Sequence, residues 1–124
     1  MIICISSQGN DLNSQVDPRF GRCQYFIITD TDTMDFEAIE NPNIGATGGA
    51  GIQSAQLIAG KDAKVVLTGN CGPNAFQTLK AAGIDIIVGV SGTIKEAVEK
   101  YRSGGFKSVD SPSVGEKFGD DGGI

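Results

Sequence analysis

Val65-Val66-Leu67, then Thr68-Gly69-Asn70-Cys71-Gly72-Pro73, then Asn74 to Ala82, and after Gly83 the run Ile84-Asp85-Ile86-Ile87-Val88 fill the stretch from Lys64 to Val90. The pattern changes period twice within this stretch. A short apolar, mostly β-branched run reads as a buried strand, and Ala75, Phe76, Leu79 and Ala82 then recur at spacings of three and four, which predicts one inward helical face. Pro73 suits the first helical position, where its missing N–H needs no partner, and Gly83 suits the helix exit. The unit is therefore βαβ. A right-handed crossover sets Val65–Leu67 parallel to Ile84–Val88 with the helix laid over them. The loop carrying Cys71 then lies at the carboxyl edge of the sheet, where open α/β sheets place their ligands.

Working outward, Ile2 to Ile5 reads as a buried strand with Cys4 at its middle, and Ser7 to Pro18 as a polar, turn-prone segment. Tyr25 to Ile28, closed by Asp30, is a second strand, and Asp35 to Ile39 a third. The short polar link Thr31-Asp32-Thr33-Met34 favours a hairpin between them, hence antiparallel pairing and a mixed sheet. After Asn41-Pro42, the run Gly45 to Gly51 reads as a flexible loop leading into a helix over Ile52 to Ala59, with Ile52, Ala55 and Ala59 inward and Gln53, Ser54 and Gln56 outward. Thr93 and Glu96 have the spacing of a capping box, opening a helix with Ile94, Ala97, Val98 and Tyr101 inward. Residues 1–105 are expected to form one domain. From 106 to 124 the chain is rich in Ser, Gly, Asp and Pro, which predicts a flexible tail.

The chain has 124 residues, enough for one domain that buries roughly two-thirds of its extended surface and too few for two cores. Ten basic against fifteen acidic residues give a net charge of −5, and no run of Lys or Arg interrupts it, so nucleic acid is not an expected partner. The start Met1-Ile2-Ile3-Cys4-Ile5 has no basic lead, and no apolar stretch approaches the ~18 residues of a membrane span. No membrane partner is expected, and the cytoplasm is the expected compartment. Cys4, Cys23 and Cys71 are odd in number and widely spaced, unlike a secreted disulfide framework.

An antiparallel second strand puts Arg19, Arg22 and Cys23 at the same edge as the Cys71 loop, and the Gly48-Gly49-Ala50-Gly51 loop returns to that edge after the third strand. Three segments thus converge on one rim. Cys4 reads as a small core residue. Cys23, beside two arginines, is either a thiol of lowered pKa or structural filler; Cys71, next to a helix N-terminus, is either a stabilised thiolate or a compact loop residue. Gly49-Ala50-Gly51-Ile52-Gln53-Ser54 begins like a dinucleotide fingerprint, but Ser54 stands at the third glycine and no G-K-[ST] follows. What remains is either a nest of backbone N–H groups for an anion or a turn that lets the helix pack closely. Arg19 and Arg22 either neutralise an anion or pair with Asp17 or Asp30. With no histidine in the chain, Cys-His and Ser-His catalysis are excluded. C-x-x-C spacing is absent, and three cysteines cannot complete a four-thiolate site in one chain.

The blocks Arg19-Phe20-Gly21-Arg22-Cys23-Gln24-Tyr25-Phe26, Gly48-Gly49-Ala50-Gly51-Ile52-Gln53 and Thr68-Gly69-Asn70-Cys71-Gly72-Pro73-Asn74-Ala75-Phe76, in this order, resemble the dinitrogenase iron-molybdenum cofactor biosynthesis domain family. The likeness runs from Ile2 to about Gly105. It implies a three-layer α/β/α domain with a ribonuclease-H-like motif and a five-stranded mixed sheet in the order 3-2-1-4-5, strand 2 antiparallel to the rest. Accessory members of that family bind iron-molybdenum cofactor or its iron-sulfur precursor, and several use a histidine; here Arg19 stands before Phe20. The resemblance implies a non-enzymatic carrier for an iron-sulfur or iron-molybdenum-type cluster, working with cofactor-assembly proteins, as a monomer or weak homodimer. Its expected site is Arg19, Arg22, Cys23, Gly48, Gly49, Gly51, Asn70, Cys71 and Gly72, with Cys23 and Cys71 ligating iron. The alternatives are a metal-free interaction or regulatory domain that binds an anionic ligand, and a metal-dependent phosphohydrolase using Asp11 or Asp17.

Overall fold

The computed structural model describes residues 1–45 and 49–106. Gly48 and the expected tail, apart from Phe106, lie outside the described residues. In chain order the elements are β1 (Ile2–Ser7), β2 (Tyr25–Asp30), β3 (Phe36–Glu40), α1 (Ala50–Ala59), β4 (Val65–Leu67), α2 (Pro73–Ala81), β5 (Asp85–Ile87) and α3 (Ile94–Arg102). They form a five-stranded sheet in the order β3-β2-β1-β4-β5. β2 runs antiparallel to both β1 and β3, while β4 is parallel to β1 and β5 to β4.

The strands read as continuous apolar runs because both faces of the sheet are covered. Alternation then sorts neighbours to opposite layers. Cys4, Phe26, Ile28, Val66 and Ile86 pack with Ala55 and Ile58 of α1 and with Ala75, Phe76 and Leu79 of α2. Ile3, Ile5, Ile27, Val65, Leu67 and Ile87 face the other way, onto Ile94, Ala97 and Val98 of α3. The architecture is a three-layer α/β/α domain, as expected. The hairpin is present: Met34 N–H donates to Asp30 O at 2.8 Å and Asp30 N–H to Asp35 O at 3.0 Å. So is the capping box, with Glu96 N–H donating to Thr93 Oγ1 at 3.1 Å and Thr93 N–H to Glu96 Oε1 at 2.9 Å.

Two helical faces differ from expectation. Ala82 is exposed, since it caps α2 rather than continuing it. In α1 the buried residues are Ala50, Ser54, Ala55 and Ile58, while Ile52 is 36% exposed. The helix is turned so that Gly51, Ser54, Ala55 and Ile58 form the inward stripe at spacings of three, four and seven. Close contact fixes that rotation, because a Cβ on Gly51 would meet Ala75 Cβ at 3.2 Å.

Ser54 is fully buried, and its hydroxyl has no hydrogen-bond partner among the described residues. An unpaired buried hydroxyl costs roughly 1–3 kcal/mol, and alanine is the better helix former. Ser54→Ala is therefore expected to leave stability unchanged or raise it by about 1 kcal/mol, read as an unchanged or higher urea midpoint at constant slope.

Candidate functional site

The carboxyl ends of β1 and β4 are tied together beneath the rim. The Ser6 hydroxyl donates to Asp17 O and pairs with the Thr68 hydroxyl, both at 2.7 Å, and all three residues are buried. Asp17 N–H returns a bond to Ser6 O at 2.8 Å. The incoming segment then runs beside the Thr68–Gly72 loop: Arg19 bridges Asn70 in parallel register, and Phe20 N–H donates to Asn70 O at 3.3 Å. Backbones meet closely here, since a Cβ on Gly69 would sit 2.5 Å from Pro18 Cα and 2.8 Å from Pro18 O. A Cβ on Gly21 would likewise reach Gly51 Cα at 3.0 Å. The three segments expected at one rim do converge.

Between them lies a cavity of about 400 Å³ lined by Arg19, Phe20, Gly21, Gly51, Asn70, Gly72, Pro73, Asn74 and Ala75. Both flanking helices begin here. α1 starts after Gly49 and α2 after Gly72; neither has a side-chain cap, and neither carries an acidic residue in its first turn. The N-cap glycine of each supplies no side-chain acceptor to the first-turn N–H groups, and each helix end contributes about half a positive charge. Gly51 and Ala75 bring those two ends into contact. Neither end alone has the field of the pair.

Arg19 is anchored by its own turn. Its backbone N–H donates to Asp17 Oδ1 at 2.8 Å, and its Nε lies 3.5 Å from the same oxygen. The Arg19 side chain is 64% exposed, while that of Asp17 is 5% exposed. Arg22 lies outside the cavity wall and donates from Nη1 to Ile44 O at 3.2 Å. Asn41, which in the sequence stands only as punctuation before Pro42, holds the turn that carries Arg22. Its Nδ2 donates to Cys23 O at 2.9 Å and Gly21 O at 3.2 Å, and its Oδ1 accepts Asn43 N–H at 2.9 Å. The signal available was an Asn directly after a strand and before Pro, the composition of an Asx turn.

The cysteines lie beneath the cavity rather than in its lining. Cys4, Cys23 and Cys71 are all buried in the core shared with α1 and α2, and none lines the cavity. Burial, followed by the Asp17 charge, pushes the Cys23 thiol up to about 12; Arg19 opposes this but does not prevail. Its Sγ donates to Phe20 O at 3.1 Å. Burial pushes Cys71 up to about 12 as well, and raises Cys4 well above its ordinary range. In the metal-free chain both thiols are thus held protonated, with desolvation of the charged form the largest cause at each. Among the described residues no three His, Cys, Asp or Glu side chains are grouped to hold a metal ion.

A pH dependence follows. Cys23 and Cys71 keep their protons up to about pH 12 when folded, against a reference value of 9.0. Their contribution to stability is thus fully present below about pH 9 and is lost as pH rises from 9 towards 12, where only the unfolded chain releases these protons. The alkaline loss in a urea-unfolding series is expected to be smaller in Cys23→Ala/Cys71→Ala than in the parent chain.

Known proteins share the sequence and the fold of this chain. The chain is 38% identical to the orange protein of Desulfovibrio gigas, whose apo structure superposes with a TM-score of 0.87 over 90% of this chain and 94% of that one. A putative NifB protein from Thermotoga is 37% identical, with a TM-score of 0.76 over 86% of this chain and 91% of that one. An uncharacterised protein of Methanocaldococcus jannaschii is 32% identical over 95 residues, 74% of this chain and 80% of its own length. The model of the dinitrogenase iron-molybdenum cofactor family matches residues 1–104. The chain belongs to that family.

Proposed function

We propose that the protein is a non-enzymatic carrier that holds an anionic iron-sulfur or iron-molybdenum-type cluster, as cargo, in the cavity between the first turns of α1 and α2. The observation that carries this reading is the contact between two helix N-termini that lack side-chain and acidic caps, with Arg19 on the same wall. The sulfide and terminal ligands of such a cluster are hydrogen-bond acceptors carrying net negative charge, so backbone N–H groups and guanidinium groups hold it without a covalent bond. Gly49, Gly51 and Gly72 allow close approach, Asn70 and Arg19 line the wall, and Arg22 adds charge at the margin. Cys23 and Cys71 support the wall from beneath as protonated thiols. The family name supports a cofactor of this kind, and cofactor-assembly proteins in the cytoplasm are the fitting donors and recipients. The ribonuclease-H-like motif describes the sheet order alone and brings no nuclease chemistry to these residues.

The metal-free reading uses the same cavity for another anion. The hydrolase reading has less support, because both aspartates serve their own turns. Asp11 Oδ1 accepts Asn13 N–H at 2.9 Å and the Ser14 hydroxyl at 3.1 Å, and Asp17 is held by Arg19. The test is anaerobic reconstitution with iron, sulfide and, separately, molybdate, followed by desalting. Coloured protein with stoichiometric metal, released progressively as ionic strength rises, is the expected result. A colourless, metal-free chain would refute cluster carriage and leave the metal-free reading.

A further inference from the structure

Asp17 is a buried carboxylate at the edge of a site read as binding anions, which is an unfavourable place for a negative charge unless it serves that site. Its geometry shows two separable roles. One is structural: Oδ1 accepts the Arg19 N–H at 2.8 Å and shapes the Pro18–Arg19 turn that bridges Asn70. A neutral oxygen can accept the same N–H, with a weaker bond. The other is electrostatic: the same oxygen lies 3.5 Å from Arg19 Nε, so the carboxylate holds the guanidinium of a residue that lines the cavity.

We propose that Asp17 sets the affinity of the cavity by holding Arg19, so that an anionic ligand must draw this arginine away from the carboxylate in order to bind. The proposal rests on the cavity being an anion site. Arg19 then has two anionic partners and satisfies one at the other's expense. Its exposed, long side chain can turn, whereas the buried carboxylate is fixed by its turn. The Asp17 charge reaches beyond its own turn, since it helps raise the buried Cys23 thiol while Arg19 lowers it. The consequence is a weakened grip, which suits cargo that must be handed on.

The experiment titrates molybdate into labelled protein and follows the amide resonances of Gly51 and Ala75, for the parent chain, Asp17→Asn, Arg19→Ala and the double variant. Asn keeps an oxygen for the Arg19 N–H and removes the charge. Asp17→Asn is expected to bind roughly three- to tenfold more tightly, and this gain is expected to disappear in the Arg19→Ala background. Should Asp17→Asn not fold, Asp17→Ser retains a side-chain oxygen for the turn and is read in the same way. Equal or weaker binding by the folded variant overturns the proposal. So does an undiminished gain without Arg19, which would make Asp17 a simple repulsive charge. A parent chain whose Gly51 and Ala75 amides do not respond to molybdate contradicts the anion site itself, and the role of Asp17 falls with it.

Discussion

Replacing Gly69 with alanine is expected to destabilise the domain by about 3 kcal/mol, and in thermal unfolding to lower the midpoint by roughly 10 °C or more. The added Cβ would lie 2.5 Å from Pro18 Cα and 2.8 Å from Pro18 O. Both are backbone atoms of a segment that cannot yield independently. Pro18 is held between Asp17, which is bonded to Ser6 on β1, and Arg19, which is bridged to Asn70. Gly69 O in turn accepts Gly89 N–H at 2.9 Å. Relief therefore requires the 17–20 segment to leave the carboxyl edge, which opens the cavity as well as the core. Gly45 is the matched control: among the described residues nothing lies within 4 Å of a Cβ there, and Gly45→Ala is expected to change stability by less than about 0.5 kcal/mol. A comparable midpoint for the two variants would mean that the close approach of Pro18 to Gly69 does not exist in solution.

The second large effect concerns cargo. Arg19→Ala/Arg22→Ala is expected to lower the affinity for reconstituted cluster about tenfold or more, most of it from Arg19 on the cavity wall and the rest from the Arg22 charge at its margin. A charge-assisted hydrogen bond is worth roughly 1.5–3 kcal/mol, and the exposure of both side chains places them at the bottom of that range. The fold is expected to survive, because neither guanidinium is buried. The remaining affinity comes from the first-turn N–H groups of α1 and α2, which no side-chain substitution removes. Equilibrium dialysis against metal content at two ionic strengths checks both points, since the double variant should also show the shallower salt dependence. Unchanged retention of cluster would place the cargo away from Arg19.

The sequence carried the fold far because its local signals agree with one another. Val65–Leu67, Pro73 and the Thr93–Glu96 pair each specify their element from adjacent residues, and each stands in the structure where its chemistry places it. The convergence of the three segments was legible too, as it follows from strand direction alone. What failed depended on contacts across the chain. The rotation of α1 is decided by Gly51 against Ala75, a pair 24 positions apart, and hydrophobicity alone favours Ile52. Cys23 stands in a polar, turn-rich run that reads as exposed. It is buried because Phe20 and Phe26 close against each other, ring centroids 5.3 Å apart, in the same core. Asn41 works through three backbone groups, and a sequence does not show which carbonyls an amide will find.

The measurement that bears most directly on cluster carriage is metal content and visible absorption per chain after anaerobic reconstitution of Cys23→Ala/Cys71→Ala beside Arg19→Ala/Arg22→Ala. Buried thiols held at about 12 and a cavity walled by N–H groups and arginine lead to one expected result: the cysteine variant keeps colour and metal close to the parent chain, and the arginine variant loses most of both. Loss of cluster in a folded cysteine variant, with retention in the arginine variant, would contradict this. It would mean that the core opens to present thiolates to iron.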